Sequence, residues 1–441
     1  MCCSYRLALY LLLCVGCGSV KDVGHLPDAP PAADAGIDAV TRGTVRVTVL
    51  DPSVSGAPAV GANVVFLDPD GSLVKRVATD TAGKAEADVL PGASVTSVIF
   101  VNMQYRLLTV LGAKPGDDLV LGVKSADSST AGTFTVTYPP LNGATSYGIS
   151  TPCGTTFFPA PATGAAPGPA QLTLSNSCKL DTMEIVVVPQ GANGALNSIA
   201  KPGVAFMSGG STTIMGNYQG LRTLTGSYTN INPIITGLSM SRGIPDGFGF
   251  VDTQSMTPTG TTLALSSTGP QASTGQILTI VGTATGSVQR VRQSISGTAA
   301  SYGLDLGATL LPWLGSPTFD AANGKLVVPT DTTGTSAARP DLFKIVASYA
   351  RTDNNVTTGF SWTLFGPEAT DIVLPVLPPE LGNLGPTAAD TVTVTSAQMF
   401  DADSVTSYDQ IRADVNNAFT LHTGSRSPAA TVRTSAAPGK R

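Results

Sequence analysis

His25 and His422 are the only imidazoles in this 441-residue chain. A Ser-His-Asp relay needs a histidine held between a serine and a carboxylate. His25 lies in a Pro- and Ala-rich stretch, and His422 lies between a helix-like segment and a polar tail. A relay would have to use His422. No Gly-x-Ser-x-Gly elbow occurs. Ser-x-x-Lys occurs as Ser72–Lys75, within a strand pattern, and as Ser198–Lys201, within a Gly- and Asn-rich loop pattern. Serine–lysine chemistry places that motif at a helix start, so chance accounts for both. Gly83-Lys84 and Gly324-Lys325 lack the following Ser or Thr of a phosphate loop, and Gly247-Phe-Gly249 lacks a third glycine. A helix–loop–helix calcium site after Asp401 and Asp403 would need an oxygen ligand at 405 and a glutamate at 412, where Val405 and Arg412 stand. Asp68, Asp70, Asp117 and Asp118 read as solvated turn residues, with calcium between modules as the alternative. Paired-carboxylate hydrolysis would rest on Asp, since glutamate is confined to Glu86, Glu184, Glu368 and Glu380. The chain is expected to have no catalytic residues, no metal site and no cofactor.

The elements that position these residues begin with a leader. Arg6 precedes an apolar run from Leu7 to Val15, then Gly16 and Cys17. The run is shorter than the ~20 residues that span a bilayer, and has the layout of an export signal. With Gly16 and Cys17 it resembles a bacterial lipoprotein signal, although Cys14 stands where that family prefers Leu. The resemblance implies cleavage after residue 16 and a lipid on the Cys17 thiol. Gly18, in place of the Asp that retains such proteins at the inner membrane, points to the outer membrane. Residues 17–42 then read as an acylated cysteine and an extended Pro/Ala/Asp tether. Cys2, Cys3 and Cys14 would leave with the leader. Cys153 and Cys178 remain as an even pair in a compartment that permits disulfides. A bridge across their 25 residues would contribute ~3.5 kcal/mol on the chain-entropy model. Two buried free thiols are the alternative.

Charged residues are 12% of the chain, about half the ordinary ~25%. With 48 Gly, 32 Pro and abundant Thr and Val, that composition favours an extracytoplasmic all-β protein. Net charge is −5 and no basic stripe occurs, so nucleic acid is excluded as a partner. No second apolar run of membrane-spanning length follows the leader.

Strand patterns fill the rest. In 43–123, alternation at Gly43–Leu50, Gly61–Leu67, Ser72–Thr79 and Lys84–Leu90 is punctuated by Asp68-Pro-Asp-Gly71, Asp80-Thr-Ala-Gly83 and Pro91-Gly92. Ser94–Asn102 and Leu119–Val123 supply the remaining strands. Pro58–Val65, Thr79–Lys84 and Leu90-Pro91-Gly92 resemble the carboxypeptidase regulatory-like domain, a transthyretin-like sandwich. That family is generally non-catalytic. The resemblance implies a structural or binding role and supplies no active-site residue.

Residues 130–220 read as a second sandwich carrying the disulfide. Gly132–Tyr138 and the turn before Tyr147 are reminiscent of fibronectin type III modules. Met183–Pro189 forms a buried strand, and 190–203 a loop. Residues 221–423 read as a larger antiparallel β domain, with strands at Leu221–Tyr228, Gln276–Val281, Ser287–Ser294, Leu326–Val328, Leu342–Tyr349 and Phe360–Phe365. Asn323-Gly324 is a hairpin turn. Ile372–Pro379 is an edge segment, and Trp313 and Trp362 are core residues. Ser407-Tyr-Asp-Gln410 reads as a capping box for one short C-terminal helix carrying Tyr408, Ile411, Val415 and Phe419. Residues 424–441 read as a disordered tail. The whole is thus expected to be all-β, with tandem antiparallel sandwich modules behind a leader and tether. The expected role is that of a non-catalytic envelope lipoprotein, bound to membrane through its anchor. Its partner would be a glycan or an envelope protein. A carbohydrate-binding or adhesive surface protein is the second reading, and a carboxylate-based hydrolase the remote one.

Overall fold

The computed structural model describes residues 41–54, 56–124, 129–161, 167–243, 252–269, 276–284, 286–332, 340–367, 371–381, 384–416 and 431–438. Cys17, His25, His422 and Phe419 lie outside the described residues. Strand accounts for 59% and helix for 5% of the described residues, an all-β fold. Arg42–Arg441 form one compact unit.

Twelve strands make one continuous sheet. In chain order they are β1 (Asn63–Leu67), β2 (Leu73–Ala78), β3 (Ala93–Val101), β4 (Gln104–Ala113), β5 (Gly237–Gly243) and β6 (Asp252–Met256). The second six are β7 (Gln276–Ala284), β8 (Ser287–Ile295), β9 (Leu342–Asp353), β10 (Val356–Gly366), β11 (Thr393–Ala402) and β12 (Val432–Pro438). Across the sheet the order is β6-β5-β7-β8-β12-β11-β9-β10-β4-β3-β1-β2. The sheet therefore crosses the expected boundary between 43–123 and 221–423. The crossing is the parallel pairing of β4 with β10, from Gln104↔Gly359 to Val110↔Phe365.

Strand β4 is absent from the expected set. Its hairpin with β3 turns at Asn102 and Met103, both at positive φ (51° and 59°). A methionine there hides a turn that Gly would have announced. Across the seam, alternation divides β10 between two cores. Trp362 and Leu364 join Leu107, Phe343, Ile345, Leu326 and Ile372 on one face. Phe365 joins Val110, Val95, Phe66 and Phe400 on the other.

Smaller sheets cover this frame. Gly43–Val49 lies between Lys84–Val89, antiparallel, and Asp118–Leu121, parallel, so the architecture is mixed. Its alternating Val45, Val47 and Val49 face the Phe66–Phe365 core. At the far end Arg222–Thr229, between Leu263–Gly269 and Ser301–Asp305, packs Leu224 and Tyr228 on Met240, Ile280 and Val291. Thr318–Asp320, Lys325–Val327 and Asp371–Val373 form a three-stranded sheet, with Asp371–Val373 at its edge as the prolines beyond it require. Trp313 and Trp362 are both buried.

Residues 130–220 form their own sandwich around Phe134, Tyr147, Leu172, Ile185 and Val187. Cys153 and Cys178 are bonded, with Cα atoms 5.0 Å apart. The 190–203 stretch is not a loop: Asn197–Ala205 pairs with Thr182–Gly191 across a register shift. The bulge lets a Gly-, Asn- and Pro-containing segment join a sheet.

The tail expectation is also corrected. Residues 432–438 are β12, paired on both sides with β8 and β11. The small residues of Val-Arg-Thr-Ser-Ala-Ala-Pro offer little bulk of their own, and the neighbouring strands supply the burial. The C-terminal helix is Tyr408–Ile411, continued by a 3-10 turn at Arg412–Asp414, with Tyr408, Ile411 and Val415 buried as expected. The expected capping box is not formed. Ser407 makes no side-chain cap, and Gln410 Oε1 accepts instead from Thr406 N at 2.9 Å.

Candidate functional site

The β4–β10 seam is held on its covered face by the Trp362 indole, whose Nε1 donates to Thr109 Oγ1 at 2.8 Å with both groups buried. Beside it runs an aromatic ladder across four strands. Phe100 packs on Tyr105 (4.6 Å between ring centres), Tyr105 on Phe360 (5.4 Å) and Phe360 on Tyr349 (4.6 Å). Arg351 caps the ladder, 5.0 Å from the Phe360 ring. These contacts fix the positions of the residues that alternate with them on the opposite face.

On that opposite face lies a trough of about 410 Å³. Strand β4 contributes Gln104 and Arg106, β10 contributes Ser361 and Thr363, and β9 contributes Lys344. Ile99, Leu108 and Val346 form an apolar floor, and Asp51, Gly122 and Asn416 form the rim. Asn416 is placed there by donating Nδ2 to Gly122 O at 3.0 Å. The Asp51 carboxylate accepts from Ser53 Oγ (2.6 Å) and Ser53 N (2.7 Å), and these bonds hold it below the usual aspartate range. Lys344 lies 5.7 Å from the Phe365 ring, and burial pulls its ammonium below the usual lysine range. The side chains of Arg106, Gln104, Ser361 and Thr363 make no hydrogen bond or ion pair with the described residues. The trough therefore offers unspent donors of several kinds above aliphatic carbon, an arrangement for binding a polar ligand.

Elsewhere charges are tied to one another. Asp68, buried, accepts from Arg42 Nη1 at 3.2 Å and from Leu90 N at 3.1 Å. Asp117 receives Arg412 through two bonds of 2.7 and 2.8 Å. Asp401 and Asp403 share Arg433, at 2.6 and 2.5 Å. Among the described residues no three metal-ligating side chains converge. Ser72–Lys75 and Ser198–Lys201 do not form serine–lysine pairs: Lys75 Nζ donates to Glu86 O, and Lys201 Nζ to Thr212 Oγ1.

Sequence reasoning missed the trough. The one available signal is a lysine inside Leu-Phe-Lys-Ile-Val, a cation facing away from the Phe343 and Ile345 side. Which other strands meet it depends on the long-range β4–β10 pairing.

No family model and no curated protein matches the chain. Among solved structures, the Bacillus anthracis TIE protein matches over 60% of this chain and 50% of its own, at 11% identity and a TM-score of 0.15. The pilus adhesin SpaC from Lactobacillus rhamnosus GG, in its open conformation, matches over 76% and 44%, at 11% identity and a TM-score of 0.16. Two B repeat units of the collagen binding protein of Staphylococcus aureus match over 74% and 100%, at 12% identity and a TM-score of 0.11. The chain spans about half the length of the TIE protein. Overlaps this slight bear on neither family nor ligand.

Proposed function

We propose that the chain is a non-catalytic cell-envelope lipoprotein whose β-rich ectodomain binds or scaffolds. The observation that carries the binding role is the trough, with free guanidinium, amide and hydroxyl groups above an apolar floor. The anchor rests on the Arg6-to-Cys17 pattern, and the outer-membrane location on Gly18. The regulatory-like pattern of 43–123 supports a structural or binding module. Metabolic labelling with a fatty acid tests the anchor. Label is expected on the wild-type chain and absent from Cys17→Ser, and label that persists in the variant refutes it.

The second reading, a carbohydrate-binding or adhesive protein, is favoured by the kinds of donor in the trough. Hydroxyl and amide groups without internal partners suit a polyhydroxylated ligand. A glycan array probed with the full chain is expected to show a restricted set of ligands, and a blank array counts against this reading.

A further inference from the structure

We propose that the trough binds a short segment of a carboxylated polysaccharide, with two of its acidic groups held by Arg106 and Lys344. The inference rests on the binding role proposed above and names its ligand class. The spacing comes from the register. Arg106 stands opposite Ser361, and Lys344 opposite Phe365. The two cations are thus four residues apart along β10 and two strand spacings apart across the sheet. At about 3.3 Å per residue and about 4.8 Å per strand, their Cα atoms are roughly 16 Å apart. Two or three linked acidic sugar units span that separation and can present one carboxylate to each cation.

The lining around the cations agrees. Ser361, Thr363 and Gln104 supply hydroxyl and amide partners for ring hydroxyls, and Ile99, Leu108 and Val346 supply carbon for the C–H faces of the rings. A cavity of about 410 Å³ falls within the usual size of ligand sites. An acidic peptide fits less well. Extended peptides use free backbone groups at a sheet edge, but β4, β9 and β10 are each paired on both sides and spend theirs in the ladders.

Isothermal titration of the full chain in detergent tests this, with a linear trimer of galacturonic acid as probe. Maltotriose is the neutral control and triglutamate the acidic peptide control. Saturable binding of the uronate trimer is expected, weakening as salt rises because exposed charge pairs are screened. Neither control should saturate. Arg106→Gln, at an exposed position, should weaken binding about tenfold, the loss of one charge-assisted contact. Lys344→Met, which keeps the aliphatic stem, should do the same if it folds; Arg106→Gln decides the matter if it does not. No binding of the uronate trimer, equal binding of either control, or an unchanged affinity in Arg106→Gln overturns the proposal. A glycan bound on the array with equal strength by Arg106→Gln would leave the general binding role standing and remove the trough from it.

Discussion

The Asp390 side chain is largely covered, and Arg351 grips it with Nε at 2.9 Å and Nη2 at 2.5 Å. The hydrogen bonds from Arg351 hold the Asp390 carboxyl down at about 2. Its folded value lies below the ordinary 3.8, so its contribution is complete above pH 4 and is lost as pH falls through 2. The shift corresponds to about 2 kcal/mol. Urea denaturation is expected to show Asp390→Asn less stable than wild type by that order at pH 7, with the gap closing towards pH 2. Asp341 has the opposite sign. Burial pushes its carboxyl up to about 6, against the hydrogen bond it accepts from Ala402 N at 2.9 Å. A raised folded value means that the native state binds the proton more tightly. The favourable contribution is full below pH 4 and disappears as pH rises through 6. Asp341→Asn keeps the acceptor and removes the charge. It should flatten the stability profile between pH 4 and 6, measured by the same denaturation series; an unchanged slope would contradict the assignment. Neither environment is legible locally, because Arg351 and Asp390 are 39 residues apart and Ala402 lies 61 residues beyond Asp341.

At the scale of elements, β4 decides how the chain is joined. Thr109→Val preserves shape but leaves the Trp362 indole N–H buried without its acceptor. A loss of about 1–3 kcal/mol is expected in chemical denaturation, and a neutral result would mean that water or another group serves the indole. Most strands were legible because one face meets a core. Gly43–Val49 buries Val45, Val47 and Val49 and leaves Arg46 exposed, a period of two that needs no partner to be seen. Strand β4 escaped because its turn carries Asn102 and Met103, and β12 because its residues are small. The disulfide was legible from elimination among six cysteines. It joins the end of Ser146–Thr151 to the loop after Ala170–Ser175, within the 130–220 sandwich. Cys153→Ser with Cys178→Ser should destabilise that sandwich by about 3 kcal/mol. Hydrogen exchange is expected to rise in 130–220 and to remain unchanged in β9–β11; equal loosening of both would show a wider role.

For the whole molecule, segments nearly 300 residues apart are tied together. The helix at Tyr408–Ile411 is clamped to the N-terminal strands: Arg412 on Asp117, Lys114 on Asp409 at 2.6 Å, and Tyr408 Oη on Leu111 O at 2.9 Å. Strand β12 closes the sheet between β8 and β11, with Ser435 Oγ donating to Pro312 O at 3.0 Å inside the core. A chain ending at residue 430 should lose cooperative unfolding and be cut by protease at sites the full chain protects. Retention of the full-length proteolytic pattern would show the two halves to be self-sufficient. None of this pairing was legible, since sequence alternation fixes which face of a strand is apolar and is silent about neighbours some 250–300 residues away. The late arrival of β12 also constrains biogenesis. A ribosome delivers the eleven other strands before the one that sutures them, and β8 and β11 wait meanwhile with unpaired rims that invite association. A nascent polypeptide of this design gains by being kept unfolded until β12 has been synthesised.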